Sequence, residues 1–351
     1  MTLDEITSLM QTLGEKPFRA KQIFGWLHNK MSPSWDEMTD LSKQLRDKLR
    51  RFPVSSAPSV VNTSASHNQK PETHQFHNTS KYLFAMADDN IIESVYMGYN
   101  YGGSVCVSSQ VGCRMGCAFC ASGLNGFERN LTAGEMCGQV YGIKKLRDDV
   151  SRVVVMGGGE PLDNFDNVVR FYRILTHEAG LNISGRHVTV STCGMAPRIY
   201  DLSALKLQLT LAISLHAPDD ETRLKLMPIA KAYPVNQLIS AAKHYGDATK
   251  RRVTIEYAMI GDVNDSEAQA FALAKLLKGG LFHVNLIPIN PVKEKAFKPS
   301  PRERVDRFAA KLNGMGMETT VRRSLGGDIN AACGQLRNTR LSITDKAQVI
   351  T

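Results

Sequence analysis

Apolar residues at helical spacing dominate the first fifty positions of the chain. In "EITSLMQTL", "FRAKQIFGWLHNKM" and "DLSKQLRDKLRRF" they recur every three or four residues, and the last run ends at Pro53. Residues 54–80 are rich in Ser, Asn, His and Pro, which is typical of weak strands and loops or of a linker. The next segment, "KYLFAMADDNIIESVYM", predicts a hairpin that turns at residues 88–90. The pattern therefore predicts helices over 1–53, followed by a linker and β-hairpin extension over 54–102.

From residue 103 onwards, strand patterns alternate with helix patterns. Strands are predicted in "SVCVSS", "RVVVMG", "HVTVST", "LTLAISL", "RVTIEYAMI", "HVNLIPI" and "ETTVRRS". The first helix is opened by the capping box Thr132-Ala133-Gly134-Glu135, and the others lie near 164–178, 197–204, 234–247, 266–278 and 301–314. This alternation indicates a parallel sheet with right-handed crossovers. Six to seven units are too few for a closed eightfold barrel. The predicted fold is therefore α/β, a partial (βα)6 barrel over 103–334 with a tail at 335–351.

Composition narrows the functional class. The chain has 351 residues, 42% of them hydrophobic, with seven cysteines and a net charge of +9. An odd cysteine count in a chain of this length argues against a secreted disulfide framework and favours metal binding or catalysis. The first residues carry acids where a secretory signal carries Lys or Arg, and no apolar run reaches transmembrane length. We therefore expect a cytoplasmic protein with no membrane partner, and the basic charge favours a polyanionic partner.

Three cysteines are concentrated in one short loop. Cys113, Cys117 and Cys120 have C-x3-C-x2-C spacing and follow the first core strand, at the barrel end where active sites collect. A zinc ribbon would bring a second cysteine pair, which this sequence does not provide. A [4Fe–4S] cluster fits better, because thiolates are its normal ligands and three of them leave one iron open. The alternatives are packing cysteines or an incomplete zinc site.

Polar residues and glycines follow several later strands. "MGGGEPL" contains Gly159 and Glu160, and its glycines allow the backbone to approach a ligand closely. The ends of "VSTCG", "ISLHAP" and "LIPINP" add further candidates, namely Ser191, Ser214, Leu215, His216 and Asn290. Each polar group alone is more often a satisfied loop residue, but together they predict a polar ring at one end of the barrel.

The cysteine loop and the glycine turn resemble those of radical S-adenosylmethionine (SAM) enzymes, including the aromatic Phe119 before the last cysteine. More specifically, the chain resembles the RlmN/Cfr family of RNA adenosine methylases over nearly its full length. The matching segments are "IIESVYM", "SVCVSSQVGCRMGCAFC", "MGGGEPL", "STCG", "SLHAP", "KLMPI", "HVNLIPIN" and "DINAACGQL". One departure is Gly158, where the family pattern suggests Met.

The resemblance implies a radical-SAM barrel with a [4Fe–4S] cluster on the three cysteines and two SAM molecules used per turnover. It also implies roles for Cys106, on the first core strand, and Cys333, in the C-terminal loop, although alone these could be a buried strand thiol and an ordinary loop cysteine. In the family scheme Cys333 is methylated, its methyl carbon becomes a radical that adds to adenine, and Cys106 removes the ring proton and forms a disulfide with Cys333. Glu93 matches the position of a general base, whereas its sequence context alone favours a surface carboxylate.

The resemblance also implies the substrates and partners. These are an adenosine of the peptidyl-transferase loop in 23S rRNA, the adenosine 3′ of the tRNA anticodon, and an electron donor such as flavodoxin or ferredoxin. A monomer is expected, with residues 1–53 as an RNA-binding accessory domain. The motifs look closer to the C2 methylases than to the Cfr-type C8 methylases that confer antibiotic resistance. A radical SAM enzyme with a non-RNA substrate and a metal-stabilised RNA-binding module without catalysis are the other readings.

Overall fold

The computed structural model describes residues 1–52, 54, 58–66, 76–322 and 326–340. Its helices are α1 (Leu3–Thr12), α2 (Phe18–His28), α3 (Lys43–Leu49), α4 (Ala133–Leu146), α5 (Phe165–Thr176), α6 (Ala196–Ala204), α7 (Asp220–Leu226), α8 (Val235–Thr249), α9 (Glu267–Leu277) and α10 (Arg302–Gly314). Its strands are β1 (Ser59–Ala65), β2 (Phe76–Ala85), β3 (Asn90–Tyr99), β4 (Gly102–Val107), β5 (Gln110–Gly112), β6 (Phe127–Asn130), β7 (Val150–Val155), β8 (Val188–Thr192), β9 (Thr210–Ser214), β10 (Val253–Met259), β11 (Phe282–Pro288), β12 (Thr319–Val321) and β13 (Thr339–Arg340).

One large sheet carries the fold. Its strand order is β1-β2-β3-β4-β7-β8-β9-β10-β11-β12, and β13 pairs with β3. From β4 to β12 every neighbouring pair is parallel, which confirms the predicted partial barrel. The predicted hairpin is also present, because β2 and β3 pair antiparallel and join the barrel sheet at β4. The carboxyl ends of the parallel strands therefore meet at one mouth, where the cysteine loop and the glycine turn lie.

The N-terminal helices pack on the helical layer of the barrel. A capping box between Thr2 and Glu5 opens α1, as the first-turn acids of that segment favour. Glu5 forms an ion pair with Arg170 of α5 at 2.8 Å, and His28 of α2 is 2.8 Å from the hydroxyl of Tyr141 in α4. In the described part of the chain, no helix is long and apolar enough to cross a membrane.

Four short elements were not anticipated from the sequence. They are α7, the β5–β6 hairpin around the cysteine loop, and the two-residue β13. Elements this short depend on tertiary contacts rather than on periodicity. The final predicted strand also ends early, at Val321, and residues 323–324 of that prediction lie outside the described residues, as do 341–351 of the predicted tail.

Candidate active site

The cysteine loop is fixed by the hairpin that flanks it. Gly112, the last residue of β5, has a φ of +73°, and a Cβ there would lie 1.9 Å from the carbonyl oxygen of Gly126. The backbone N–H of Cys113 donates to that same oxygen at 3.0 Å. Further along, the N–H of Ala118 donates to the carbonyl of Leu226, the last residue of α7, at 2.8 Å. The loop is therefore held between the hairpin and α7, and Gly112 permits its closed shape.

The three thiols of this loop line one cavity, which we call the main cavity, with an empty volume of about 960 Å³ up to its open mouth. All seven cysteines of the chain are free thiols. Burial raises the pKa of Cys113 to about 12 and raises that of Cys117 as well, so both are protonated at neutral pH until a metal binds. The N–H of Ser122 donates to the sulfur of Cys120 at 3.4 Å, the kind of bond that tunes iron–sulfur thiolates. These three thiols fit a [4Fe–4S] cluster in which each binds one iron and the fourth iron has no protein ligand.

The glycine turn after β7 brings a carboxylate into the main cavity. Gly159 has a φ of +102°, and a Cβ on it would lie 2.6 Å from the Cβ of Gln110. The Gln110 side chain accepts the N–H of Glu160 at 2.8 Å. The buried Glu160 carboxylate in turn accepts the N–H groups of Cys193 and Leu162 at 2.7 and 3.0 Å. Burial raises the pKa of Glu160, and these N–H bonds oppose that rise.

His216 closes another side of the main cavity in a defined tautomer. Its Nδ1 lies 2.9 Å from the backbone N of Ala258. Because a backbone N–H can only donate, Nδ1 must accept and Nε2 carries the proton. Burial lowers the pKa of His216 to about 3, so the ring is neutral at physiological pH. Its ring meets Phe119 edge-to-face at 4.9 Å, which ties it to the cysteine loop.

Of the other predicted cofactor residues, some line the main cavity and some do not. Ser191 and Ser214 line the main cavity with Gly159 and His216. Leu215 is fully buried; its N–H donates to the carbonyl of Glu256 at 3.1 Å, and its own carbonyl accepts from Arg223 at 3.2 Å. Leu215 is not among the residues that line the main cavity, and its backbone N–H and carbonyl are already engaged in hydrogen bonds.

A smaller second cavity adjoins the main one and contains the two other predicted cysteines. Cys106 and Cys333 both line it, and Cys333 lines the main cavity too. Asn290 lies in this second cavity, apart from the ring of predicted cofactor residues. Burial and, to a lesser degree, the neighbouring Cys333 raise the pKa of Cys106 to about 12. Cys106 is thus a protonated buried thiol, whereas Cys333 is exposed.

The loop that carries Cys333 is fastened on both sides. The carbonyl of Gly334 accepts the N–H of Ala121 in the cysteine loop at 2.7 Å, and the Ser122 hydroxyl donates to the carbonyl of Leu336 at 2.9 Å. The Gln335 amide donates to the carbonyl of Pro291 at 3.0 Å. These bonds hold Cys333 over the barrel mouth.

Glu93 belongs to this fastening rather than to either cavity lining formed by the described residues. Its carboxylate forms an ion pair with Lys81 at 3.1 Å and accepts the N–H of Arg337 at 2.8 Å. It lies two residues before Val95, which pairs with Cys106 across β3 and β4. Glu93 therefore shares the sheet face of Cys106 and tethers the C-terminal loop.

Sequence reasoning missed three residues that line the main cavity. Glu256 is a buried acid in the apolar strand β10, and its inward position two residues before Ala258 was a readable signal. Arg322 lines both cavities, just after β12. Cys193, the cysteine of "VSTCG", also lines the main cavity. The sequence around Arg322 and around Cys193 has no periodic pattern that would distinguish either residue from an ordinary surface or loop residue.

Comparisons with known proteins agree on a family. Residues 107–274 match the radical SAM superfamily, and residues 1–53 match the ribosomal RNA large subunit methyltransferase N-terminal domain. The RlmN dual-specificity RNA methyltransferase assigned in Desulforamulus reducens is 51% identical over 95% of this chain and 93% of its own length. The one assigned in Lachnospira eligens is 47% identical over 99% of this chain and 97% of its own.

A solved structure supports the same relationship. The crystal structure of a radical SAM methyltransferase from Sphaerobacter thermophilus superposes with a TM-score of 0.87 and 43% identity, covering 96% of this chain and 97% of that one. The cofactors of such enzymes, a [4Fe–4S] cluster and SAM, are those that the main cavity fits. The chain therefore belongs to the RlmN family of radical SAM RNA methyltransferases.

Proposed function

We propose that the protein methylates C2 of adenosine in RNA, through a methyl group carried on Cys333. The observation that carries this proposal is the position of Cys333, which lines both the main cavity with the cluster cysteines and the second cavity with Cys106. A thiol that lines both cavities can accept a methyl group in the main cavity. In the second cavity it can then react with the partner thiol, Cys106, which frees the product.

The target carbon explains why a relay is needed. C2 of adenine lies between two ring nitrogens and is too electron-poor to attack a SAM methyl group as a nucleophile. The cluster and SAM, when bound, supply a carbon radical instead. Cys333, an exposed thiol, first accepts a methyl group, and the S-methyl group then loses a hydrogen atom and bonds to C2.

Cys106 completes the reaction in this proposal. As a thiolate it takes the ring proton, and the unpaired electron left on the adduct would pass to the oxidised cluster, which supplied one electron at the start. Once that proton has passed on, Cys106 attacks the sulfur of Cys333, so that an S–S bond forms as the S–CH2 bond breaks and the carbon takes up a proton. Burial raises the pKa of Cys106 to about 12, so its proton has to leave before it can act. Glu93 is the proposed proton acceptor, because it lies on the same sheet face as Cys106, two residues before Val95, the residue that pairs with Cys106.

The main cavity would hold SAM against the cluster. Gly159 allows a close backbone approach, and the Glu160 carboxylate suits the methionine ammonium. His216 offers its Nε2–H as a donor, and Ser191 and Ser214 add hydroxyls. Leu215 could contribute through the backbone alone, and Asn290 would face the substrate side, since it lines the second cavity.

The proposed substrates are 23S rRNA and tRNA, with residues 1–53 as the RNA-binding accessory domain. The relatives' names specify dual-specificity RNA methylation. A base has to leave its stack for its C2 to reach Cys333, which lines both cavities, so an unpaired or loop adenosine is expected. The stretch 292–311, with seven Lys and Arg against three acids, is a candidate phosphate contact. We propose that the protein acts in the cytoplasm as a monomer and that a flavodoxin or ferredoxin supplies its electrons.

The test is a methylation assay with the anaerobically reconstituted enzyme. It is given SAM, a reductant and RNA from cells that lack such a methylase, and the digested nucleosides are compared by mass spectrometry with 2-methyl- and 8-methyladenosine. We expect 2-methyladenosine from the wild type and from Cys137→Ala, a control that removes a buried thiol outside both cavities. Cys333→Ala should give none.

The remaining outcomes decide between the alternatives. An 8-methyladenosine product would assign the chain to the C8 methylases. An intact cluster that cleaves SAM but methylates neither rRNA nor tRNA would refute the RNA substrate.

A further inference from the structure

A buried arginine lies behind the cysteine loop, outside the cavity linings of the described residues. Arg223 of α7 is 0% exposed. Its guanidinium donates to three backbone carbonyls, those of Cys193 at 2.6 Å, Leu215 at 3.2 Å and Tyr233 at 3.2 Å. Among the described residues, no carboxylate oxygen lies within 4.0 Å of it. The charge of Arg223 is thus solvated by neutral dipoles and has no acidic partner in direct contact.

A buried charge without a counter-charge is costly. Taking a guanidinium out of water carries a desolvation penalty, and carbonyl dipoles offset that penalty only in part. Its shortest bond is to the carbonyl of Cys193, which lines the main cavity together with the cluster ligand Cys117. The thiols of these two cysteines and the carboxylate of Asp220 are the groups whose charge would act on it. When the cluster binds, the ligand thiols become thiolates, and the cluster with its thiolates carries net negative charge. The loaded protein therefore places negative charge near a guanidinium that has no carboxylate in direct contact.

The packing of α7 keeps this arginine close to the cluster loop. The carbonyl of Leu226, three residues after Arg223, accepts the N–H of Ala118 between two cluster cysteines at 2.8 Å. On the same side, Pro228 would be 3.7 Å from a Cβ on Gly116. Because α7 and the loop are joined in this way, the guanidinium has a fixed position relative to the cluster site.

We propose that Arg223 is a fixed internal cation that favours the reduced, more negative state of the iron–sulfur cluster and so sets its reduction potential. A single electron arrives from a low-potential one-electron donor, and no bond of Arg223 forms or breaks. Arg223 acts through the cluster and touches neither SAM nor RNA. Since its charge is buried, salt should screen the effect little.

The test is a redox titration of the reconstituted protein with dithionite as reductant, followed by the electron paramagnetic resonance signal of the reduced cluster, without RNA or SAM. In Arg223→Gln, the ratio of reduced to oxidised cluster at a fixed potential should fall about tenfold, which is about 59 mV for a one-electron couple. Arg223→Lys keeps the charge and should stay within about threefold of the wild type, which is about half of the tenfold change on a logarithmic scale.

Arg251→Gln is the matched control. Arg251 also donates from Nε to a backbone carbonyl, that of Leu209 at 2.8 Å, but at the opposite end of β9 from Leu215. Removing its charge should leave the potential unchanged. This distinguishes a charge near the cluster from the general loss of a carbonyl-bound arginine.

Three results would overturn the proposal. The first is an unchanged potential in Arg223→Gln, and the second is an equal shift in Arg223→Lys, which would assign the effect to the carbonyl bonds rather than the charge. The third is failure of both Arg223→Gln and a second neutral variant, Arg223→Met, to fold or to bind iron, judged by circular dichroism and iron content. That result would make the residue structural. None of these depends on RNA methylation, so failure of the proposed function would remain separate.

Discussion

Gly159 offers a sharp quantitative prediction, because its neighbour Gly158 supplies a control in the same turn. Gly159 has a φ of +102°, and a Cβ on it would lie 2.6 Å from the Cβ and 2.8 Å from the Cγ of Gln110. Gly158 is not in the positive-φ region, and its nearest neighbour, Ser108 Oγ, would be 3.4 Å from a Cβ, an ordinary contact. An alanine side chain would therefore clash at position 159 and would be accommodated at position 158.

The magnitudes follow from these two geometries. A backbone conformation that L residues rarely adopt costs about 1–3 kcal/mol, and an extra methyl in a packed site costs a further 1–3 kcal/mol or so. Gly159→Ala should thus lower the free energy of unfolding by about 2–6 kcal/mol. Gly158→Ala should leave it within about 1 kcal/mol of the wild type, on the stabilising side, because it restricts the unfolded chain.

Urea unfolding of the cluster-free protein measures both effects, with the midpoint shift converted through a common slope. SAM binding to the reconstituted protein is the second readout, since displacing Gln110 also displaces its hydrogen bond to Glu160. Equal stabilities of the two variants, within about 0.5 kcal/mol, would refute the reasoning, because that is the usual range of a neutral substitution.

Two further predictions concern titratable groups. Iodoacetamide at pH 7–8 should alkylate the exposed Cys333 well before the buried Cys106, because burial raises the pKa of Cys106 to about 12. Tryptic mass spectrometry that found Cys106 modified first would contradict the burial of this thiol. The second prediction is acid sensitivity. Burial lowers the pKa of His28 to about 4 and of His216 to about 3, so below pH 6.5 the unfolded chain binds protons that the native state does not, and stability should fall as the pH decreases towards 4. For His28 alone the loss is about 3 kcal/mol, and urea midpoints from pH 7 to 4 should show a shallower fall in His28→Gln.

The barrel could be predicted because its strands are long apolar runs with helices between them. The same pattern placed Cys113, Cys117 and Cys120 after the first parallel strand, and in a parallel sheet all strand ends reach the same mouth. Gly159 and Glu160 were predicted at this mouth for the same reason, because a glycine turn directly after a strand has a known location in the fold, and both line the main cavity.

Other features depend on contacts that no local pattern encodes. The helix α7 has seven residues, and its packing on the cysteine loop gives Arg223 its place. The division into two cavities, which separates Asn290 from Ser214, depends on how the C-terminal loop crosses the barrel mouth. Glu93 illustrates the same limit, because its partners Lys81 and Arg337 come from a neighbouring strand and from the far end of the chain.

The central claim is that Cys333 carries the methyl group and Cys106 releases it. Its most direct test is to react Cys106→Ala with RNA, SAM and reductant, and then to digest the protein and RNA for mass spectrometry. The account predicts a covalent protein–RNA product, with a methylene-linked adenine on the tryptic peptide that contains Cys333, and no free methyladenosine. Free methyladenosine at the wild-type rate from Cys106→Ala, with no adduct on Cys333, would contradict it.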